Sequence, residues 1–227
     1  MKIISVLRLL GAGMTILLPW ALRRVVLMSF WGYEIDRSAR IGWSWIFPES
    51  LVMGPESSIG HLNVCKGLAR LQLGESATIA HLNWMTAYPA ASGPHFATEK
   101  DRCPELSIGR HGAVTSRHLL DCTNRISIGA YSTVAGFRSQ FLTHSIDLHS
   151  SRQVSAPIDI ADYCFIGTGV IVLPGSRVPR ACAVGALSAY RGQFTQEHSL
   201  YSGVPAKWCK QLSSDDQYYC RTTGFVI

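Results

Sequence analysis

Two histidines five positions apart lie in a polar stretch of the chain that has no repeat. In AGFRSQFLTHSIDLHSSRQVSAP, which begins at Ala135, they are His144 and His149, with Asp147 between them. Imidazole titrates near neutral pH, so histidine is the side chain best suited to take a proton from a reacting group. The stretch therefore contains a candidate general base. The alternative is a surface histidine that only hydrogen-bonds its own loop.

A six-residue repeat follows this stretch and would give it rigid support. Aliphatic residues occupy every sixth position within residues 158–189, at Ile160, Ile166, Val172, Val178 and Val184. A helix needs a spacing near 3.6 and a flat strand a spacing near 2, so neither explains this period. The repeat predicts a solenoid whose coils each have three short parallel strands and inward-pointing aliphatic residues. Ile166 would then stack on Val184 in the next coil, about 4.8 Å away.

The same phase extends toward the N-terminus and is broken twice. It begins loosely at Ile35, and the near-copies SSIGHLNV and ATIAHLNW lie twenty residues apart, as one coil with a small insertion would place them. The breaks are residues 88–105 and residues 137–157. We therefore predict a solenoid domain over residues 35–210 with two insertions, and a C-terminal extension over residues 211–227. The first insertion either contacts a substrate or is a solvated loop.

Polar residues also occur about one coil before the histidine-bearing stretch. The segment TSRHLLD contains His118 and Asp121, and His118 lies at a position where later coils have small residues. These two side chains could contribute to the same site as His144. Polar residues at the corners of a solenoid can equally be structural.

The N-terminal 34 residues are the most apolar part of the chain. Their uninterrupted apolar core, residues 9–22, is too short to cross a bilayer, which takes about 20 residues. We expect a helix lying in a membrane face, with arginines at the headgroups and aromatic residues at the interface. The arginines are Arg8, Arg23 and Arg24, and the aromatic residues are Trp20, Phe30 and Trp31. The alternative is a helix that covers the open end of the solenoid.

Composition narrows the class of protein and of partner. With 227 residues and 47% hydrophobic content, the chain can bury a sizeable core. A formal charge of +6 suits an anionic partner, but no basic run is present, so we do not expect nucleic acid. Seven scattered cysteines without a C-x-x-C pair indicate reduced thiols. We expect a cytoplasmic protein, peripheral to the inner face of the membrane.

Several motifs of the C-terminal half resemble those of a known family. They are THS at residues 143–145, then DYCFIGTG, LPGSRVP and AVGALSA, and finally SGVPAKWCK at residues 202–210. In this order they resemble the hexapeptide-repeat acyltransferases, and most closely the bacterial polysaccharide and galactoside-type O-acetyltransferases. The resemblance covers residues 107–210 well. It implies an all-β fold, a left-handed parallel β-helix of hexapeptide repeats.

The resemblance also implies an activity and a set of site residues. It implies an acetyl-CoA-dependent O-acetyltransferase that modifies a sugar hydroxyl of a glycan or polysaccharide precursor, by direct transfer and without metal. His144 would be the catalytic base, with further residues on the acceptor side or supporting it: His118, Asp121, Asp147 and His149. Thr168 and Ala186 would contact the pantetheine arm, and Lys207 and Lys210 the phosphates. A homotrimer with sites between subunits is expected, and residues 1–32 suggest a lipid-linked acceptor.

Two other readings remain open at this point. His144 and His149, with His118 as a third ligand, have the spacing of the zinc histidines of γ-type carbonic anhydrases, which are also β-helices. In that family the paired histidines lie in regular coils, whereas here they lie in an aperiodic segment, and the GVPAK ending favours the acyltransferase. The second alternative is a membrane-bound scaffold without catalytic activity.

Overall fold

The chain folds into a three-sided parallel β-helix. A computed structural model describes residues 13–89, 95–96, 98–99, 101–224 and 226. Three sheets, here A, B and C, run along the sides of the coil, and the first seven coils each contribute one parallel strand to each sheet. The predicted fold class, an all-β left-handed parallel β-helix, is confirmed.

The strands are numbered in chain order. Sheet A contains β1 (Glu34–Ile35), β4 (Ser50–Met53), β7 (Arg70–Leu73), β10 (Glu105–Ile108), β13 (Ile126–Ile128), β18 (Ile158–Ile160) and β21 (Arg177–Val178). Sheet B contains β2 (Arg40–Ile41), β5 (Ser58–Ile59), β8 (Thr78–Ile79), β11 (Ala113–Val114), β14 (Thr133–Val134), β19 (Phe165–Ile166), β22 (Ala183–Val184), β24 (Ser199–Ser202) and the antiparallel β25 (Lys207–Gln211). Sheet C contains β3 (Trp45–Phe47), β6 (Val64–Lys66), β9 (Trp84–Thr86), β12 (Leu119–Asp121), β15 (Gln140–Leu142), β20 (Ile171–Val172) and β23 (Ala189–Tyr190).

Among the described residues, the elements outside the coils include a hairpin and two helices. These are the hairpin of β16 (His144–Asp147) and β17 (Arg152–Ser155), helix α1 (Trp20–Trp31) and helix α2 (Gln217–Cys220). The edges where the chain passes from one sheet to the next are called the A/B, B/C and C/A corners.

The hexad residues form the core. Ile160, Ile166, Val172, Val178 and Val184 are each at most 2% exposed. Ile166 pairs with Val184 in adjacent strands of sheet B, as the period of six predicts. Removing these side chains from water is the main source of stability in a fold whose strands are only two to four residues long in most coils.

Helix α1 covers the open end of the first coil. Leu27 of this helix is fully buried, and the guanidinium of Arg23 donates to the carbonyls of Gly42 (2.7 Å) and Ser44 (2.8 Å). Arg24 donates to the carbonyl of Ile35 at the A/B corner. These carbonyls belong to the edge of the β-helix, which has no further strand to pair with.

The prediction that Arg23 and Arg24 reach lipid headgroups is therefore wrong, because their guanidinium groups bond to the edge of the solenoid. The alternative expectation, a helix covering the open end, holds for α1. Arg8 lies outside the described residues. No described helix is long and apolar enough to cross a bilayer.

The C-terminal extension packs against the outside of the coils. The hydroxyl of Tyr218, in α2, donates to the carbonyl of Cys164 at the A/B corner. The Tyr131 hydroxyl donates to the carbonyl of Thr222. The Arg221 guanidinium lies 3.7 Å from the centre of the Tyr218 ring. Residues 211–224 thus belong to the same folded unit as the β-helix.

We expect Arg23→Gln to lower the free energy of unfolding by about 2 to 4 kcal/mol, because it removes charge-assisted bonds to two buried-edge carbonyls. Burial lowers the pKa of Arg23 to about 10, which leaves it charged at neutral pH. Urea unfolding at a fixed protein concentration measures the effect. Arg37→Gln, at an exposed position beside the same edge, is the matched control. Equal unfolding curves for the two variants would contradict this role.

Candidate active site

The histidine-bearing insertion is shorter than predicted and forms a hairpin. Residues 137–142 belong to a regular coil, because β15 pairs with β12 on one side and β20 on the other, and Phe141 points into the core. The chain leaves the coil only after Leu142, at the C/A corner. His144 is the first residue of β16 and pairs with Ser155 of β17.

His144 forms a dyad with Asp121. Asp121 ends β12, directly beneath the point where the chain leaves β15, and His144 Nδ1 lies 2.5 Å from Asp121 Oδ2. The same carboxylate oxygen accepts from the backbone N–H groups of Thr143 (3.0 Å) and His144 (3.1 Å). Thr123 donates its hydroxyl (2.6 Å) and its N–H to Oδ1. The geometry assigns the Nδ1 proton to the bond with Asp121, which leaves Nε2 with a free lone pair.

The environment holds Asp121 ionised and makes His144 more basic. Burial by itself raises the pKa of Asp121, but the bonds from His144 and Thr123 outweigh it and the pKa lies below its usual value. The bond to Asp121 raises the pKa of His144 above its usual value, while burial and the charge of Arg102 oppose the rise. The His144 side chain is 31% exposed, so the imidazole is accessible. The dyad is suited to accept a proton at Nε2.

The first insertion lies against the dyad. The rings of Tyr88 and Phe96 meet the His144 ring edge-on, at centroid distances of 5.7 Å and 6.0 Å. Glu99 accepts from the Ser155 hydroxyl (2.6 Å), opposite His144 in the hairpin. Beside these residues is a cavity of about 440 Å³, with Arg102 in its lining. Of the two expectations for residues 88–105, the described part favours contact with the site.

His118 is not part of the dyad. It precedes β12 at the B/C corner, whereas Asp121 ends the same strand at the C/A corner. Its ring is 1% exposed, with Nε2 bonded to the Thr115 hydroxyl (2.9 Å) and Nδ1 accepting from the N–H of Ser139 (3.1 Å). Burial lowers the pKa of His118 to about 4, so the ring is neutral. Both nitrogens hold the corner together, and the place of His118 on the acceptor side stays a prediction.

Asp147 and His149 lie at the tip of the hairpin. Asp147 Oδ1 accepts from the N–H of His149 (3.1 Å) and Oδ2 from the hydroxyl of Ser150 (2.5 Å), so the carboxylate closes the turn. These bonds lower the pKa of Asp147. No contact with His144 is present among the described residues for either side chain. Their role as supporting residues stays a prediction, with a position that fits a turn.

The four residues predicted to bind the cofactor lie toward the C-terminal end. Thr168 and Ala186 occupy the B/C corner in successive coils and are exposed, although the Thr168 hydroxyl exchanges hydrogen bonds with the backbone of Phe137. Lys207 and Lys210 are exposed on β25, with Lys207 opposite Ser202 and Lys210 opposite Leu200. The dyad lies at a different corner, so one chain does not bring the two sets together.

Sequence reasoning did not identify Asp121 as the partner of His144, nor Tyr88, Phe96 and Glu99 as neighbours. The register between coils would have identified Asp121, had the length of the coil between the two residues been known. In that register, the last residue of one sheet C strand lies beneath the point where the chain leaves the next sheet C strand. For Tyr88 and Phe96 the only signal was that their insertion leaves the coils at the same C/A corner.

No protein-family model and no curated protein matches the chain. Among solved structures, a hexapeptide-repeat acetyltransferase of Vibrio cholerae O1 biovar eltor, complexed with acetyl-CoA, is 17% identical, covers 90% of this chain and 85% of its own, and gives a TM-score of 0.47. The polysialic-acid-specific acetyltransferase NeuO is 16% identical, over 79% of this chain and 80% of its own, with a TM-score of 0.44. The polysialic acid O-acetyltransferase OatWY is 14% identical, over 79% and 84%, with a TM-score of 0.43. At these identities and scores, the likeness assigns no activity to this chain.

We expect Asp121→Asn to lower the pKa of His144, because the substitution removes the negative charge while it preserves the shape of the side chain. An NMR titration of the imidazole resonances measures this change. Asp147→Asn, which removes a carboxylate from the same hairpin region, should leave the His144 titration unchanged. A His144 pKa that is the same in both variants would show that Asp121 does not set its basicity.

Proposed function

We propose that this protein is an acetyl-CoA-dependent O-acetyltransferase of the hexapeptide-repeat type that modifies a sugar hydroxyl of a glycan or polysaccharide precursor. The observation that carries the proposal is the His144–Asp121 dyad, with an oriented imidazole whose Nε2 points away from the carboxylate. The THS and GVPAK motifs, which resemble those of the hexapeptide-repeat acyltransferases, favour acyl transfer as the reaction.

In this proposal, His144 acts as the general base. Nε2 takes the proton of the acceptor hydroxyl as its oxygen attacks the thioester carbonyl carbon of acetyl-CoA. A backbone N–H of the adjacent coil would stabilise the tetrahedral oxyanion. The carbon–sulfur bond then breaks, the imidazolium returns the proton to the departing CoA thiolate, and the acetyl ester remains on the sugar. Asp121 keeps the imidazole oriented and stabilises its cationic form.

The cysteines support transfer without a covalent acyl-enzyme. Cys164 and Cys182 are fully buried, and burial raises their thiol pKa to about 12 and about 11. Cys103, exposed near the first insertion, has its pKa raised by burial and by Glu105. A thiol must be deprotonated to act as a nucleophile, and none of these three favours the thiolate.

The positions of the two residue sets support a homotrimer with sites between subunits. The base lies at the C/A corner, whereas Thr168 and Ala186 lie at the B/C corner of later coils. A donor bound along the B/C corner of one subunit would meet a base supplied by its neighbour. In this arrangement the base and the donor-binding residues form one site, whereas in a monomer they would lie apart.

The same placement weakens the zinc alternative. His118 and His144 lie at opposite ends of sheet C, and the Nδ1 and Nε2 atoms of His118 are both engaged in the corner. The described residues contain no group of three His, Cys, Asp or Glu side chains arranged to hold a metal ion. The ligand set expected for a γ-type carbonic anhydrase is therefore not assembled within the described part of one chain.

We also propose that the N-terminal end contacts an anionic lipid surface and so brings the enzyme to a lipid-linked acceptor. Helix α1 turns its arginines toward the solenoid and its apolar side chains outward, with Leu22 51%, Val25 54% and Phe30 73% exposed. Leu17, just before it, is 87% exposed. Contiguous apolar surface of this kind marks an interaction site, and the Lys2 and Arg8 of the preceding sequence suit anionic headgroups.

We expect His144→Gln to lower kcat/KM for acetyl transfer by about 10²- to 10⁴-fold, the usual contribution of a general base. Thiol release from acetyl-CoA with a panel of glycan acceptors measures it. In the unmodified protein the rate should rise with pH, because only neutral imidazole accepts a proton, and the midpoint should lie above the ordinary histidine value because Asp121 raises the pKa of His144. In Asp121→Asn the midpoint should move to lower pH.

His111→Gln, at the A/B corner between β10 and β11, is the control for this experiment and should keep both the rate and the midpoint. Unchanged transfer by His144→Gln in an intact oligomer would overturn the assignment of the base. Absence of transfer to every acceptor in the unmodified protein would favour the non-enzymatic scaffold.

We expect the double variant Leu22→Glu/Val25→Glu to lose binding to vesicles of phosphatidylcholine and phosphatidylglycerol, since it places charges on the outward face of α1. Vesicle flotation measures the bound fraction. The control, Ile146→Glu/Leu148→Glu, changes two exposed apolar residues of the hairpin and should still float with the vesicles. Loss of binding in both variants, or in neither, would argue against α1 as the contact.

A further inference from the structure

An open depression on the outer face of sheet C lies one corner away from the dyad. It has a volume of about 460 Å³, and its lining includes Trp84, Arg117, His118, Leu119, Arg138 and Gln140. The depression combines two cations on one wall with an apolar floor. No step of the proposed reaction uses these residues.

The wall is formed by two arginines stacked in adjacent coils. Arg138 donates its N–H to the carbonyl of Arg117 (3.0 Å), and both side chains are exposed. Other coils have leucine or glycine at this position of the B/C corner, at Leu62, Leu82, Gly169 and Leu187. In the described part of the chain, no carboxylate pairs with either guanidinium, and Arg117 lies only over the Phe137 ring, at 6.0 Å.

Two adjacent guanidinium groups suit an anion of a particular shape. Neighbouring coils are about 4.8 Å apart, so both flexible side chains can reach one anion, and that anion would offset the repulsion between the two cations. Arginine binds planar carboxylates through parallel N–H donors, which gives both affinity and orientation. The wall is thus complementary to a carboxylate.

The floor is suited to a ring that has one apolar face and polar edges. Leu119 pairs with Trp84 on one side and with Gln140 on the other, so the three side chains lie in a row across adjacent strands. The Trp84 side chain is 56% exposed, which leaves its indole free to stack, and the Gln140 amide supplies donors and acceptors. A sugar ring has this combination of an apolar face and hydroxyl edges.

The depression also lies at the same level along the β-helix axis as the dyad. Arg117 and Arg138 precede β12 and β15, and these are the strands that lead to Asp121 and His144. Thr168 and Ala186 continue the same B/C corner in the next two coils. In a symmetric ring of subunits whose axis runs along the β-helix, the depression of one subunit would lie level with the dyad of its neighbour.

We propose that this depression is the acceptor subsite, and that the acceptor is an acidic sugar whose carboxylate binds Arg117 and Arg138 while its ring stacks on Trp84. This proposal rests on the proposed function, because only a transferase has an acceptor substrate. The binding site itself can be tested without any transfer reaction.

The test compares the binding of cellobiuronic acid, a disaccharide of glucuronic acid and glucose, with that of neutral cellobiose by isothermal titration calorimetry. The unmodified protein should bind the acid about tenfold tighter or more at low ionic strength, and the preference should fall as salt is added. Arg117→Gln/Arg138→Gln should abolish the preference. The matched control, Arg70→Gln/Arg177→Gln, removes the same charge from exposed positions on sheet A and should keep it.

Two further measurements separate the other roles that the arginines could have. Coenzyme A affinity should be unchanged in Arg117→Gln/Arg138→Gln, and its loss would reassign the pair to the phosphates of the donor. The molar mass in solution should also be unchanged, and dissociation of the oligomer would identify the surface as a subunit contact. Either result, or equal binding of the two disaccharides by the unmodified protein, would overturn the subsite.

The subsite and the proposed function can fail separately. The protein could bind acidic sugars selectively through Arg117 and Arg138 and yet transfer acetyl to no glycan. That result would support the subsite and contradict the transferase assignment. Acetyl transfer could instead be equal for acidic and neutral acceptors, both before and after the double substitution. That result would support the transferase assignment and contradict the subsite.

Discussion

The register between successive coils is the constraint on which the site depends. Leu142 lies opposite Asp121 in sheet C, so the next two residues, Thr143 and His144, pass directly over the Asp121 carboxylate. A slip of one residue would turn the inward side chains of β15 outward and move His144 off its partner. The stacked aliphatic core forbids that slip. The apolar hexad therefore fixes a polar dyad whose members are 23 residues apart.

Buried polar groups at the corners reinforce the register. At the B/C corner, the side chain of Asn63 accepts from the N–H of Asn83, Asn83 in turn accepts from the N–H of His118, and His118 accepts from the N–H of Ser139. Each side chain thus satisfies a backbone group of the next coil that would otherwise be buried without a partner, which is costly. Such a ladder can form only in one alignment. The dyad, at the other end of the sheet C strands, is positioned by a coil that is held at both corners.

The period of six was sufficient to predict the parallel coils, their inward residues and the stacking of Ile166 on Val184. His144 could be chosen because it interrupts the period. Its partner could not, because coil lengths vary where small insertions occur and the sequence alone does not say which residue of the preceding coil lies beneath. Arg23 and Arg24 were misplaced for a related reason. An apolar helix with two arginines resembles a membrane surface helix, and nothing in its sequence reveals that the edge carbonyls of Gly42 and Ser44 need donors.

Two histidines of this chain show how the environment sets the protonation of an imidazole. His118 and His144 stand at opposite ends of the stretch of sheet C that contains β12 and β15, and each has a hydrogen-bond partner at Nδ1. For His118 that partner is a backbone N–H, which requires an unprotonated nitrogen, and burial without any carboxylate lowers the pKa to about 4. For His144 the partner is the Asp121 carboxylate, which requires a protonated nitrogen and raises the pKa. The first ring stays neutral and holds a corner, whereas the second can gain and lose a proton at Nε2. The acidic side chain at the end of β12 is thus what separates the two outcomes.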